Sequence, residues 1–115
     1  MSNIWTVSKA TEHMKRLCKE LGPEYSITII DLEQVIYRDL GNGYDIEISG
    51  VNTSSQRKKA TLYLWKDRHR IIKIIREVSQ DDIAACSDRL CTLVGGLADA
   101  DFDEDGFLRE ARTAL

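Results

Sequence analysis

The fold is decided by the stretch Gly41-Asn-Gly-Tyr-Asp-Ile-Glu-Ile-Ser49, in which a turn signal runs directly into a strand pattern. Glycine and asparagine both tolerate positive φ, which a tight hairpin turn requires. From Tyr44 onwards apolar and polar residues alternate with the two-residue period of a β-strand. We therefore predict a hairpin turn at 41–43 and a strand at 44–49, with one face on a core and one in water.

Four further segments on either side of this hairpin are rich in β-branched and aromatic residues. They are residues 25–30 and 35–40 before it, joined by a polar turn at 31–34, and residues 59–66 and 69–78 after it, joined by Asp67-Arg68. The last segment is apolar on both faces, which is typical of a central or covered strand. The sequence predicts a meander of four or five antiparallel strands.

Helical patterns flank the predicted sheet. Between residues 7 and 21 apolar residues recur at steps of three and four, which is one apolar helix face. Thr6 or Ser8 is the expected N-cap, and Gly22-Pro23 the expected end. A second helix is predicted to begin at Ser79, with Asp82 completing a pattern similar to a capping box.

These elements predict one α+β domain over residues 1–115. It has an N-terminal helix (1–22), an antiparallel meander sheet (25–78), and a C-terminal helix followed by a short terminal helix near 107–115, both within 79–115. The predicted architecture is a two-layer sandwich with helices on one sheet face. A curled sheet wrapped around the second helix is the alternative.

Charge is distributed unevenly along the chain. The net charge is −3, but residues 57–76 hold eight basic side chains and one acid, a net charge of +7. Residues 80–115 hold nine acids and three bases, a net charge of −6. We expect two regions of opposite electrostatic potential.

The cysteine count and the apolar pattern bear on location. Three cysteines are present, an odd number, and residues 1–5 lack the basic start and apolar run of a signal peptide. No apolar run approaches the roughly 18 residues that a membrane span needs. We expect reduced thiols, a cytoplasmic location and no membrane association.

One face of the strand at 59–66 is aromatic and basic. Alternation places its aliphatic side chains on one face and Lys59, Tyr63 and Trp65 on the other. Because Trp, Tyr and Arg dominate the energy of protein interfaces, we predict a non-enzymatic interaction module that binds a protein partner or a second copy of itself. The predicted contact residues are Arg57, Lys59, Tyr63, Trp65, Lys66, Arg68 and Arg70.

The same surface suits single-stranded nucleic acid. Basic side chains contact the phosphate backbone and aromatic rings stack on bases. Nucleic-acid binding through the basic strands between Arg57 and Arg76 is therefore an alternative prediction.

A second alternative rests on acidic side chains, which can imitate the phosphates of nucleic acid. In size, charge and element order the chain resembles small phage-encoded inhibitors of host nucleases, including anti-CRISPR proteins. The resemblance implies an inhibitor that occupies the basic groove of a nucleic-acid-handling protein. Its contact residues would be Asp45, Glu47, Asp99, Asp101, Asp103, Glu104 and Asp105.

Residues 101–108 resemble the first eight positions of a calcium-binding EF-hand loop. Asp101, Asp103 and Asp105 occupy the first three acidic positions, and a glycine follows at the bend. Position 12 is a bidentate glutamate in that family and is Arg112 here. The resemblance implies a weak calcium site at the three aspartates, and no metal is favoured.

Enzymatic patterns are sparse in the sequence. His13, on the polar side of the first predicted helix beside Glu12, and His69, in a turn between two arginines, are expected to be exposed surface residues and not catalytic bases. Cys86 and Cys91 are five residues apart on a predicted helix and do not share a face as metal ligands would. We therefore predict no enzymatic activity, no catalytic residue and no cofactor.

Overall fold

The computed structural model describes residues 8–98. Its elements are α1 (Glu12–Leu21), β1 (Ser26–Ile30), β2 (Glu33–Gly41), β3 (Tyr44–Ser49), β4 (Ala60–Lys66), β5 (Arg70–Val78), a 3-10 turn (Gln80–Asp82) and α2 (Ile83–Ala98). The predicted α+β fold, in which one helix precedes and one helix follows an antiparallel sheet along the chain, is confirmed. The short helix predicted near 107–115 lies outside the described residues.

The five strands form one open antiparallel sheet in the order β1-β2-β3-β4-β5. Two-residue turns join β1 to β2 and β2 to β3, three residues (67–69) join β4 to β5, and each of these connections contains two residues with positive φ. They are Asp31 and Leu32, Asn42 and Gly43, and Asp67 and Arg68. Positive φ matches the twist of these tight hairpins, so the local turns determine the meander.

β5 lies at an edge of the sheet, where we had predicted a central or covered strand. The pairing of β4 with β5 shifts between Leu64 and Trp65, and this shift leaves Ile72 as an extra residue. Ile72 is buried in the core, whereas Ile71 lies opposite Trp65 and is 40% exposed. Two causes therefore explain the isoleucines on both faces of β5. The bulge buries Ile72 in the core, and Ile71 belongs to an apolar surface on the opposite face.

Both helices pack on one face of the sheet. The core joins apolar side chains of α1 and α2 to every second residue of the central strands. It includes Met14 and Cys18 of α1, Ile83, Leu90 and Val94 of α2, and Ile36, Ile46, Ile48, Leu62 and Leu64 of β2 to β4. Strand register places these sheet residues on a common face, which we call the helix face. The opposite face is called the open face.

α1 begins later than the apolar pattern predicted, at Glu12. Its N-cap is Thr11, whose Oγ1 accepts a hydrogen bond from the Met14 backbone N–H at 3.1 Å. The Thr11 N–H donates to Asn52 Oδ1 at 2.8 Å, and its hydroxyl donates to the Thr53 carbonyl at 3.0 Å. The loop before β4 therefore decides where the helix starts, and Ser8 is not the cap.

The C-terminal helix begins with a 3-10 turn, and the predicted capping box is absent there. Ser79 precedes this turn but makes no side-chain capping bond. Its carbonyl instead accepts the Asp82 N–H at 2.8 Å, and Gln80 Nε2 donates to the carbonyls of Ser55 and Lys58 at 3.0 Å each. Contacts to the β3–β4 loop thus replace local capping at this helix start.

Candidate binding site on the open sheet face

The open face carries an acidic and aromatic surface where we had predicted a solvated one. Two rows of paired residues cross it, namely Tyr37, Glu47, Tyr63 and Ile74, and Asp39, Asp45, Trp65 and Ile71. Asp45 and Glu47 of β3 are each only 7% exposed. The large rings opposite and diagonal to these two acids exclude water from them, so alternation along β3 does not predict their exposure.

A concave site of about 630 Å³, which we call the trough, opens on this face. Its lining comes from β1 to β4 and from the turns after β1 and β4. The lining residues are Thr28, Ile30, Asp31, Tyr37, Asp45, Glu47, Trp65, Arg68 and His69. This volume lies within the range of about 300–1,000 Å³ that is usual for ligand sites.

Glu47 is the buried carboxylate at the centre of the trough. Its Oε1 accepts a hydrogen bond from the Trp65 indole Nε1–H at 3.0 Å. Burial raises the pKa of Glu47, the Trp65 bond lowers it, and the negative charges of Glu33 and Asp31 raise it again. Its carboxylate is therefore charged only at a free-energy cost, and among the described residues no cation lowers its pKa.

Asp45 lies one pleat along the same strand and faces Tyr37. Burial raises the pKa of Tyr37, and the hydrogen bond to Asp45 and the charges of Asp45 and Asp39 raise it further. The guanidinium of Arg68 acts in the opposite direction. The Tyr37 hydroxyl is thus a neutral donor to the Asp45 carboxylate.

The aromatic side of the site comes from β4. The ring centroids of Tyr63 and Trp65 are 6.3 Å apart and their planes are inclined by 31°. Both rings are half-buried, and strand pairing sets Tyr63 opposite Glu47 and Trp65 opposite Asp45. The arrangement offers ring surface and buried negative charge side by side.

The structure divides the predicted basic contact residues among three places. Lys66 lies on the helix face, where its Nζ sits 4.1 Å from the Tyr44 ring centroid and donates to the Asn42 carbonyl. Arg68 is at the rim of the trough, and Arg70 begins β5 next to the same turn. Arg57 and Lys59 are exposed in the loop before β4. Lys66 therefore does not lie beside Tyr63 and Trp65 on the open face.

The predicted acidic contact residues are only partly within the described chain. Asp45 and Glu47 lie in the trough, whereas Asp99, Asp101, Asp103, Glu104 and Asp105 lie outside residues 8–98, as do the calcium candidates among them. Within the described part of the chain, no three His, Cys, Asp or Glu side chains converge to hold a metal ion.

The histidines and cysteines have structural surroundings. His13 is half-buried, which the sequence did not predict, and its Nε2 lies 2.6 Å from Gln80 Oε1. His69 is exposed on the trough rim, with Nδ1 2.6 Å from the Asp67 carbonyl oxygen. Burial raises the pKa of the free thiols Cys18 and Cys91, which disfavours the reactive thiolate.

Sequence reasoning missed Tyr37 of β2, Asp31 of the turn after β1, and the β1 residues Thr28 and Ile30 of the trough. The Asn42-Gly43 turn alone would set Tyr37 opposite Ile48, and a bulge between Asp39 and Gly41 places it opposite Glu47 instead. The turn by itself therefore could not have identified Tyr37. The contribution of β1 depends on the curvature of the whole sheet, for which the sequence has no local signal.

No protein-family model, no curated protein and no solved structure matches this chain. None of the described helices is long and apolar enough to cross a membrane.

Proposed function

We propose that the protein is a non-enzymatic interaction module that binds a protein partner through the open face of its sheet. The observation that carries the proposal is that this face, on which no described helix packs, places Tyr63, Trp65 and Ile71 beside the trough. Aromatic side chains next to a concave site are the usual energetic centre of a protein interface.

Nucleic-acid binding by this face is disfavoured by charge. The two rings that would stack on bases lie opposite Glu47 and Asp45, which would repel a phosphate backbone. Lys66, which would have contacted that backbone, lies on the helix face. A protein partner fits the same rings without this repulsion.

The phosphate-imitating inhibitor remains an alternative proposal with less support from the open face. Imitation of phosphates needs accessible negative charge, and Asp45 and Glu47 are each 7% exposed. The alternative therefore depends on residues 99–105.

The test uses two matched isoleucines on the two edge strands. Ile71 of β5 is 40% exposed on the open face, and Ile29 of β1 is 52% exposed and belongs to the helix-face register. Partners are captured from the native host with the tagged protein, with and without nuclease, and are then identified, purified and measured by calorimetry.

We expect Tyr63→Ala and Ile71→Ala to weaken binding of the purified partner by roughly tenfold or more, as truncation at an interface centre does. Ile29→Ala is the control and should bind as the unmodified protein does. Equal binding by all three variants would show that the partner does not bind the open face. Loss of the captured partner after nuclease treatment would indicate binding through nucleic acid.

A further inference from the structure

We infer that the trough receives a cationic side chain, an arginine or lysine, from the protein partner. The inference rests on the proposed function and adds the chemistry that the partner must present.

Negative charge dominates the floor and one end of the trough. Asp31, Asp45 and Glu47 line it, and Glu33 is close enough to act on Glu47 electrostatically. The opposing side chains are Arg68 and His69 at the other end, and Arg68 is exposed. The balance inside the trough therefore favours a cation.

Among the described residues, the two central carboxylates, Asp45 and Glu47, have no salt-bridge partner. Their polar contacts are the neutral donors Tyr37 and Trp65. Buried charges in proteins are normally paired. A cation brought by a partner would supply the missing countercharge.

The walls of the trough suit an organic cation. The faces of Trp and Tyr attract ammonium and guanidinium groups, and Trp65 and Tyr37 both line the site. The chain uses this chemistry on its helix face, where the Arg38 guanidinium lies 5.2 Å from the Tyr25 ring centroid. In the trough the same ring chemistry is combined with carboxylates.

Size and ligand geometry separate this occupant from a metal ion. About 630 Å³ holds a long side chain and part of the segment that carries it. No three ligating side chains converge anywhere in residues 8–98. A guanidinium is the best fit, because its planar donors match carboxylates and stack on rings.

The test compares acetyl-arginine-amide with acetyl-citrulline-amide, a neutral molecule of nearly the same shape. Binding is followed by NMR at the Trp65 indole N–H, whose hydrogen bond to Glu47 makes it a direct reporter. We expect saturable shifts with the arginine probe at roughly millimolar Kd, typical for so small a ligand. The citrulline probe should bind at least tenfold more weakly. Equal binding of the two probes, or no shift with either, overturns the inference.

Two variants connect the signal to the carboxylates. Glu47→Gln and Asp45→Asn should each weaken the arginine probe by roughly tenfold, because each removes one countercharge. Glu20→Gln, an exposed position on α1, changes net charge equally and should leave binding unchanged. If Glu20→Gln weakens binding as much as the trough variants do, the signal reports net charge and the inference fails.

The outcomes distinguish this inference from the proposed function. If Tyr63→Ala and Ile71→Ala no longer bind the partner while the arginine probe does not bind, the proposed interface on the open face is supported. The inferred cationic side chain in the trough is then wrong. If the probe binds but these variants still bind the partner, the trough is a cation site and the proposed protein interface is wrong. The partner is then not the source of the cation.

Discussion

Glu47 is the residue that departs most from the pattern of its strand. It occupies a polar position in the alternation of β3 and yet is buried by its ring neighbours. Because burial raises its pKa above the ordinary value, the folded protein binds a proton more tightly than the unfolded chain does. This contribution to stability is present below the ordinary pKa and is lost as the pH rises through the raised pKa.

We therefore expect Glu47→Gln to raise the free energy of unfolding by about 1 kcal/mol at neutral pH, since an amide avoids burying the charge and still accepts the Trp65 bond. The gain should vanish below the ordinary glutamate pKa, where the native side chain is also neutral. Urea unfolding across the acid range measures it. The control Glu20→Gln should stay within about 0.5 kcal/mol at every pH, and a loss of stability in Glu47→Gln at neutral pH would contradict the argument.

Leu32 is a second residue that lowers the stability of the folded protein, through its backbone conformation. It has φ of +66° in the turn between β1 and β2 and is 58% exposed. A branched side chain in the left-handed region costs about 1–2 kcal/mol and here recovers little by burial. Asp31, its partner in the turn, lines the trough, so the strained turn lies beside the candidate site.

We expect Leu32→Gly to stabilise the protein by about 0.5–1 kcal/mol, after allowing for the greater freedom of glycine in the unfolded chain. Leu32→Ala keeps a Cβ and therefore the strain, and is expected to give no such gain. Thermal unfolding of the two variants measures the difference. Equal stability of the glycine and alanine variants would show that the turn is not strained.

At the scale of elements, the start of α1 and the loop between β3 and β4 hold each other in place. Thr11 caps the helix and bonds the loop at Asn52 and Thr53, and Asn52 Nδ2 donates in return to the Lys9 carbonyl at 3.1 Å. The loop runs over residues 50–59 and has no strand of its own. Contacts with α1 replace the register control that a two-residue turn would supply.

We expect Thr11→Ala to cost about 1–2 kcal/mol, because the helix loses its cap and the loop loses an anchor. Thr11→Ser retains the hydroxyl and should cost less than about 0.5 kcal/mol. Hydrogen exchange should show faster opening of both α1 and the loop in the alanine variant. Faster exchange in α1 alone would separate the two elements and contradict the coupling.

At the scale of the whole molecule, the salt dependence of binding affinity distinguishes the competing functions. A single cationic side chain in a partly desolvated trough should lose only about threefold in affinity between low and physiological salt, because screening acts weakly on buried pairs. A nucleic-acid binder with several phosphate contacts would lose about a thousandfold over a similar range. Calorimetric titration of the captured partner at several salt concentrations measures this slope, and a steep slope would contradict the trough proposal.

The sequence by itself determined the order of the elements and the meander of the sheet. Both follow from local causes, namely two-residue alternation, turns that need positive φ, and a glycine that ends α1. The pairing of Tyr37 with Glu47 does not follow from the Asn42-Gly43 turn, because a β-bulge between Asp39 and Gly41 shifts the register of β2 against β3.

Only the tertiary structure decided that the acidic and aromatic candidates belong to one site. β3 and β4 are joined by ten residues, so no local turn sets Glu47 opposite Tyr63 or Asp45 opposite Trp65. Their register depends on packing across the core and on the anchoring of the loop by α1. Burial of the two carboxylates depends in turn on rings that arrive from neighbouring strands, and alternation within one strand carries no information about its neighbours.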